Sequence, residues 1–297
     1  MKHINFSYLL FSIILSYLNL YSISIVYNFR IAEITKEQNS PYEYLINKKY
    51  NLITLLFDQY FTTYNQYNYN YTGFFESFIY HTPSCYFRSD FAASSIKEKS
   101  PKGKNHTFQP EDILLTSGCN FTINDHSIIT ASGLFGIPTG KVVLPQAYFG
   151  YRQVGLGIQL DGFYSFRLTH RAVYGFRYIY FVPRSTNYYK KRYLFTIGHM
   201  IDFLLAYQYQ YNKTQELEMG YSIESRFKAN IKPYIAYIIK QNNYFISSFY
   251  FVYKHQFSVK NTINTLLFNV VYGFDNIPNK FSIKYSLTAW LAWDINF

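Results

Sequence analysis

The sequence predicts an all-β chain closed into a transmembrane, antiparallel, up-and-down β-barrel of about twelve strands, with ten and fourteen as the alternatives. Two observations predict it. The first is the last seventeen residues. Phe281, Ile283, Tyr285, Leu287, Ala289, Leu291, Trp293, Ile295 and Phe297 are all apolar. The positions between them are Ser282, Lys284, Ser286, Thr288, Trp290, Ala292, Asp294 and Asn296. Successive strand side chains point to opposite faces, so one face is apolar throughout and the other mostly polar. The second is composition: 49% hydrophobic and 15% charged, with a mean hydropathy of −0.12. Helical membrane proteins need about 20 apolar residues per span and are greasier. Soluble chains carry about 25% charge. A membrane barrel falls between, because half of each strand faces water or the lumen.

The elements follow in order. Lys2 and His3 precede an apolar stretch from Tyr8 to Leu18, and Ser22 and Ser24 supply small residues for a cleavage site. A charged start, a short apolar core and a small-x-small end describe a secretory signal over residues 1–24. The rival is an uncleaved anchor, since Phe6 to Phe29 carries no charge. Residues 25–118 form a less regular N-terminal segment of strands and polar loops. Asn51-Leu52-Ile53-Thr54-Leu55-Leu56-Phe57 reads equally as a strand or a short helix, and Tyr64 to Tyr71 is an Asn/Tyr-rich run. Ser94 to Asp112, with Lys97, Lys99, Lys102 and Lys104 around Pro101 and Gly103, predicts a long exposed loop.

The main barrel strands are expected over 119–297. Phe121 to Phe135 is β-rich and ends on Gly136-Ile137-Pro138-Thr139-Gly140, a turn signal. Val142 to Tyr151 follows. Then Val154, Leu156, Ile158, Leu160, Tyr164, Phe166 and Leu168 alternate with Gly155, Gly157, Gln159, Asp161, Ser165 and Arg167. A turn at His170-Arg171 leads to Ala172, Tyr174, Phe176, Tyr178 and Tyr180 on one face. Tyr193 to Tyr211 reads as one long strand bulged near Gly198. Beyond Asn212-Lys213-Thr214, Leu217, Met219, Tyr221, Ile223 and Phe227 oppose Glu216, Glu218, Ser222, Glu224, Arg226 and Lys228. Charges of both signs on that face exclude lipid, where a basic residue costs about 2–4 kcal/mol at the midplane. Tyr234 to Lys240, Tyr244 to Phe257, Ile263 to Phe274 and Phe281 to Phe297 complete ten strands after residue 119, and earlier pairs bring the count to about twelve. An open sheet in lipid leaves backbone groups unpaired, so the sheet must close.

Asp161, Arg167, Arg177, Glu216, Glu218, Glu224, Arg226, Lys228, Lys284 and Asp294 are the lumen candidates. They suit either of two roles: a constriction that sorts solutes by charge, or a cross-strand network that plugs the barrel. Cys85 and Cys119 are the two cysteines, a candidate disulfide in an oxidising compartment. No cysteine or histidine spacing predicts a metal site, and no cofactor motif is present. Asp125-His126-Ser127 is the one cluster with hydrolase chemistry. Adjacent strand residues point to opposite faces, so it lacks triad geometry, and no catalytic residue is assigned. The net charge of +11 suits nucleic acid, anionic lipid or anionic solutes. No nucleic-acid fold signature accompanies it, so no nucleic-acid partner is expected. The 22% aromatic content suits interface girdles, though AT-rich coding raises Phe, Tyr and Lys in any fold.

With its signal-like start, its amphipathic strands and the ending Trp293-Asp294-Ile295-Asn296-Phe297, the chain resembles Gram-negative outer-membrane β-barrel proteins. Ser132-Gly133-Leu134-Phe135-Gly136 and the run from Gly155 to Gly162 resemble segments of uncharacterised barrels from host-dependent bacteria. The resemblance implies secretion across the inner membrane and residence in the outer membrane among its lipids. It implies recognition of Trp293, Ile295 and Phe297 by the barrel-insertion machinery. It also implies a passive pore for small solutes, with a plugged structural or surface-interaction barrel as the alternative and a barrel enzyme as a further one. A soluble secreted β-sandwich is the rival fold; it would extract without detergent.

Overall fold

In a computed structural model the described residues are 50–63, 68–100, 103–110, 112–139, 154–188, 191–196, 199–226, 230–232, 244–260, 262–275 and 283–296. They form β-strands joined by turns. The N-terminal half supplies β1 (Tyr50–Thr63), β2 (Asn68–His81), β3 (Cys85–Ser100), β4 (Gly103–Pro110), β5 (Ile113–Asn124) and β6 (Ser127–Ile137). Then come β7 (Gly155–Arg167), β8 (His170–Phe181), β9 (Arg184–Tyr188), β10 (Lys191–Thr196) and β11 (Met200–Asn212). The last are β12 (Gln215–Arg226), β13 (Asn230–Lys232), β14 (Tyr244–Val259), β15 (Thr262–Asp275) and β16 (Ile283–Asn296).

Twelve strands close the wall. The order around the ring is β1, β2, β3, β5, β6, β7, β8, β11, β12, β14, β15 and β16, and β16 returns to β1. Every neighbouring pair is antiparallel. The closing pair runs from Asn51 opposite Asn296 to Thr63 opposite Ile283. β9, β10 and β13 form a separate three-stranded sheet. Connections alternate in length. Residues 82–84, 125–126, 168–169, 213–214 and 260–261 link strands at the end where β1 begins and β16 finishes. At the other end, 17, 18, 17 and 7 residues of sequence separate Ile137 from Gly155, Phe181 from Met200, Arg226 from Tyr244 and Asp275 from Ile283, against four between Thr63 and Asn68.

Side chains alternate as the pleat requires. Leu56, Leu156, Ile158, Leu160, Phe203, Leu205, Met219, Phe249 and Leu291 are exposed on the outer surface. In water a continuous apolar surface of that extent would drive aggregation; in lipid it is the required solvent match. Inward positions such as Thr130, Gln159, Asp161, Arg177, Asp202, Gln208, Glu218, Ser222, Asn269 and Asp294 are buried.

Several expectations are corrected. Phe121 to Phe135 is a hairpin rather than one strand, because Asp125 and His126 form the turn between β5 and β6. The turn expected at His170-Arg171 falls at Leu168-Thr169, and His170 pairs with Tyr209 inside β8. Tyr193 to Tyr211 divides into β10 and β11; only β11 belongs to the wall. Ser94 to Asp112 is mostly strand: β4 folds back on the far half of β3, from Ala93 opposite Pro110 to Ser100 opposite Gly103. Its polarity has a simple cause, since this hairpin lies toward the long-loop end, beyond the reach of β5 pairing, and Lys97, Lys99 and His106 are exposed. Within the segment 25–118, expected to hold strands and polar loops, the described residues form β1 to β4 and the first half of β5. The signal region 1–24, the strand expected over Val142 to Tyr151 and that over Tyr234 to Lys240 lie outside the described residues.

One seam is shorter than its neighbours. β3 pairs with β5 only from Cys85 opposite Cys119 to Asp90 opposite Leu114, whereas β2 and β3 pair from Asn68 opposite Lys99 to His81 opposite Tyr86. Cys85 and Cys119 are disulfide-bonded across that short seam. A native disulfide contributes about 2–4 kcal/mol. Replacing both cysteines by alanine is therefore expected to lower the temperature at which the folded, fast-migrating gel band disappears, with a similar loss for wild type in reductant. Leu291→Arg, on the outer face near mid-strand, is expected to cost about 2–4 kcal/mol of folding free energy in bilayers, measured by denaturant titration in lipid vesicles.

Candidate functional site

The candidate site is the inner wall. A polar row crosses seven adjacent strands: Tyr86 opposite Gly118, then Ser132, Gln159, Arg177, Asp202 and Glu224. Strand pairing fixes the order, because each residue is the direct cross-strand partner of the next. The Tyr86 and Ser132 hydroxyls hydrogen-bond at 2.9 Å. Arg177 Nε donates to Asp202 Oδ2 at 2.7 Å. Beside this row Gln159 Nε2 donates to Asp161 Oδ1 at 2.9 Å. On β3, Arg88 pairs with Asp90, which also accepts from Ser77 Oγ at 2.7 Å. Gly118 makes room for the Tyr86 ring; a Cβ there would stand 2.9 Å from Tyr86 Cε1.

Two further groups lie toward the short-turn end. Gln208 Nε2 donates to Glu216 Oε1 at 2.7 Å and to Glu218 Oε2 at 3.4 Å, and Lys254 Nζ stands 3.6 Å from Glu216 Oε2. Asn51 Nδ2 and Asn296 Nδ2 both reach Asp294 Oδ1, at 3.3 and 3.5 Å.

The remaining wall is different in kind. Ile53, Leu55 and Phe57 of β1, Trp290 and Ala292 of β16, and Val252 of β14 turn inward and are buried. Around a ring of twelve, β7 and β16 lie diametrically opposite, as do β8 and β1. The interior is thus two-faced, with carboxylates and guanidiniums on one side and aliphatic and aromatic groups on the other.

Of the residues expected to line the lumen, Asp161, Arg177, Glu216, Glu218, Glu224 and Asp294 point inward and are buried. Arg167 is exposed at the end of β7, beside an irregularity in its pairing with β8, and stands apart from the row. Lys284 is exposed at the start of β16, at the rim. The side chains of Arg226 and Lys228 lie outside the described set. Trp293 is exposed on the outer face, where its Nε1 donates to Asn264 Oδ1 at 3.1 Å, and Ile295 is half-buried. Phe297 lies outside the described residues. Asp125 and His126 sit exposed in their turn, His126 against the Tyr164 ring, while Ser127 opens β6 and is buried. Sequence reasoning missed Arg88, Asp90 and Asp202. The signal was available for the first two: a charge at every second residue between Phe87 and Phe91 marks an inward face.

The architecture matches solved structures. An outer membrane channel from Pseudomonas putida F1 superposes with a TM-score of 0.68 at 12% identity, over 84% of this chain and 96% of its own. The CymD monoaromatic hydrocarbon channel gives 0.47 at 8% identity, over 86% of this chain and 90% of its own. The NanC porin gives 0.43 at 8%, over 84% and 98%. No family model matches the chain, and no curated protein matches it in sequence. At these identities the likeness shows the fold: an outer-membrane-type, closed, twelve-stranded antiparallel β-barrel.

Removing one partner of a buried ion pair costs about 3–5 kcal/mol, whereas replacing both by apolar groups is often neutral. Arg177→Met alone should therefore sharply lower the urea midpoint of refolded barrel, and Arg177→Met with Asp202→Leu should recover most of the loss.

Proposed function

We propose that this chain is an integral outer-membrane barrel acting as a passive pore for small solutes. The observation that carries the reading is the polar row from Tyr86 to Glu224 on the inner wall of a barrel whose outer wall is apolar. Charged groups are costly anywhere near lipid and serve a passage for hydrated solutes when they line its inside. The fold shared with the Pseudomonas putida F1 outer membrane channel supports the same reading. On this reading the protein is secreted across the inner membrane. The insertion machinery then recognises its last strand through Trp293, Ile295 and Phe297, and outer-membrane lipids solvate the apolar surface. Selectivity comes from interior charge, with no cofactor or catalytic step.

A second reading has its own support. Arg88, Arg177, Asp202 and Trp290 are 0–2% exposed, so the mid-wall side chains are covered. That favours an occluded barrel whose role is structural or adhesive. Purified protein in planar bilayers separates the two. The pore reading expects discrete, ohmic current steps in potassium chloride, and liposomes that swell in isosmotic solutes up to a sharp size limit. Correctly folded, heat-modifiable barrel that passes no current and causes no swelling would establish the occluded one.

A further inference from the structure

We infer that the interior recognises amphipathic organic cations: an ammonium or guanidinium head joined to an apolar body. This rests on the pore reading and names the class of solute it favours. The charge balance comes first. At mid-wall the carboxylates Asp90, Asp161 and Asp202 face two guanidiniums, Arg88 and Arg177. Arg88 Nε pairs with Asp90 and Arg177 Nε with Asp202, while among the described residues the side-chain donor to Asp161 is the neutral Gln159 amide. Asp161 is the carboxylate of this group to which no described guanidinium hydrogen-bonds.

Hydrogen-bond capacity points the same way. Asp90 Oδ2, Asp161 Oδ2, Asp202 Oδ1 and Gln159 Oε1 are all buried and accept no hydrogen bond from the described residues. A buried acceptor without a donor costs free energy, about 1–3 kcal/mol and more when charged. A solute bringing a positive charge and several N–H donors supplies what the cluster lacks. A bare metal ion does not fit, because among the described residues no three His, Cys, Asp or Glu side chains converge on one point.

The opposite wall selects the rest of the solute. β16 and β1 face β7 and β8 across the ring, and present Leu55, Phe57, Trp290 and Ala292. A hydrated inorganic cation gains nothing from that surface. An alkyl or aryl body sheds water against it, and an indole face attracts a cation within about 6 Å. Both faces lie at mid-strand level.

The test is block of potassium current by full-length wild-type barrel in planar bilayers. Phenethylammonium is expected to block at least tenfold more tightly than phenylacetate, which has the opposite charge, and than methylammonium, which lacks the apolar body. Asp161→Asn, nearly isosteric, should abolish the advantage over phenylacetate while the barrel stays heat-modifiable. Leu55→Ser should shrink only the advantage over methylammonium. Current that is blocked equally by both charges, or block that ignores Asp161→Asn, overturns the inference and leaves the pore reading standing. If no current flows, the pore reading fails, and thermal unfolding of the barrel decides this one. Protection by phenethylammonium that Asp161→Asn loses would uphold recognition at this site; no protection would overturn it.

Discussion

Closure of the hydrogen-bond ladder is the constraint on which everything else rests. A strand in hydrocarbon has no water to satisfy its N–H and C=O groups, so each must find a neighbour on both sides. Here that demand is met by the pairing of the first wall strand with the last, residue 51 against 296 through 63 against 283. The pairing brings together segments far apart in the chain. It makes the barrel a single cooperative object, since losing either terminal strand would expose two edges at once. It also fixes the register of all twelve strands, because a slip by one residue would turn every side chain on a strand to the wrong face.

Once the ring is closed, chemistry divides by radius. The outer surface can be apolar, and over most of the wall it is, with Thr54, Asp58, Thr72 and Glu76 of β1 and β2 as exceptions that hydrogen-bond one another. The inner surface must solve a packing problem as well as a polarity problem. Glycines are part of the solution. Gly118 and Gly220 sit beside inward tyrosines, and a Cβ at Gly220 would overlap the Tyr250 ring. The rings therefore lie along the wall instead of crossing the interior, and the Tyr86 hydroxyl reaches Ser132 over the intervening strand. Strand pairing and small residues together create the polar row; neither does so alone.

How much of this was legible in the sequence depends on which side of each strand carried the contrast. β12 was plain, because Glu216, Glu218 and Glu224 alternate with Leu217, Met219 and Ile223. β1 was not. Leu52 and Leu56 face outward while Ile53, Leu55 and Phe57 face inward to the apolar sector, so period two vanishes and the stretch reads equally as helix. Trp290 and Ala292 interrupt the polar face of β16 for the same reason. The hairpin of β3 and β4 failed in the opposite way: toward the long-loop end its exposed residues are largely charged and polar, and it reads as loop. The expected count of about twelve holds although Phe121 to Phe135 supplies parts of two strands and only the second part of Tyr193 to Tyr211 belongs to the wall. The candidate residues on β12, Asp161 and Arg177 followed from alternation. Asp202, flanked by Ile201 and Phe203, is a single carboxylate in an apolar run, and only the register that sets it opposite Arg177 gives it meaning.

Charge sign is also divided by position, and this explains a mismatch between the whole chain and its interior. The sequence carries 28 basic against 17 acidic residues. Yet Asp90, Asp161, Asp202, Glu216, Glu218, Glu224 and Asp294 are buried within the wall, where Arg88, Arg177 and the partly covered Arg171 and Lys254 join them. Lys97, Lys99, Lys213, Lys260 and Lys284 are exposed at the two ends of the barrel. Lysine holds its hydration tightly and loses much on burial, which favours the rims; arginine is more weakly hydrated and forks readily onto carboxylates, which suits it to the interior. An acidic inner wall keeps its deficit of positive charge inside, where a passing solute can supply it.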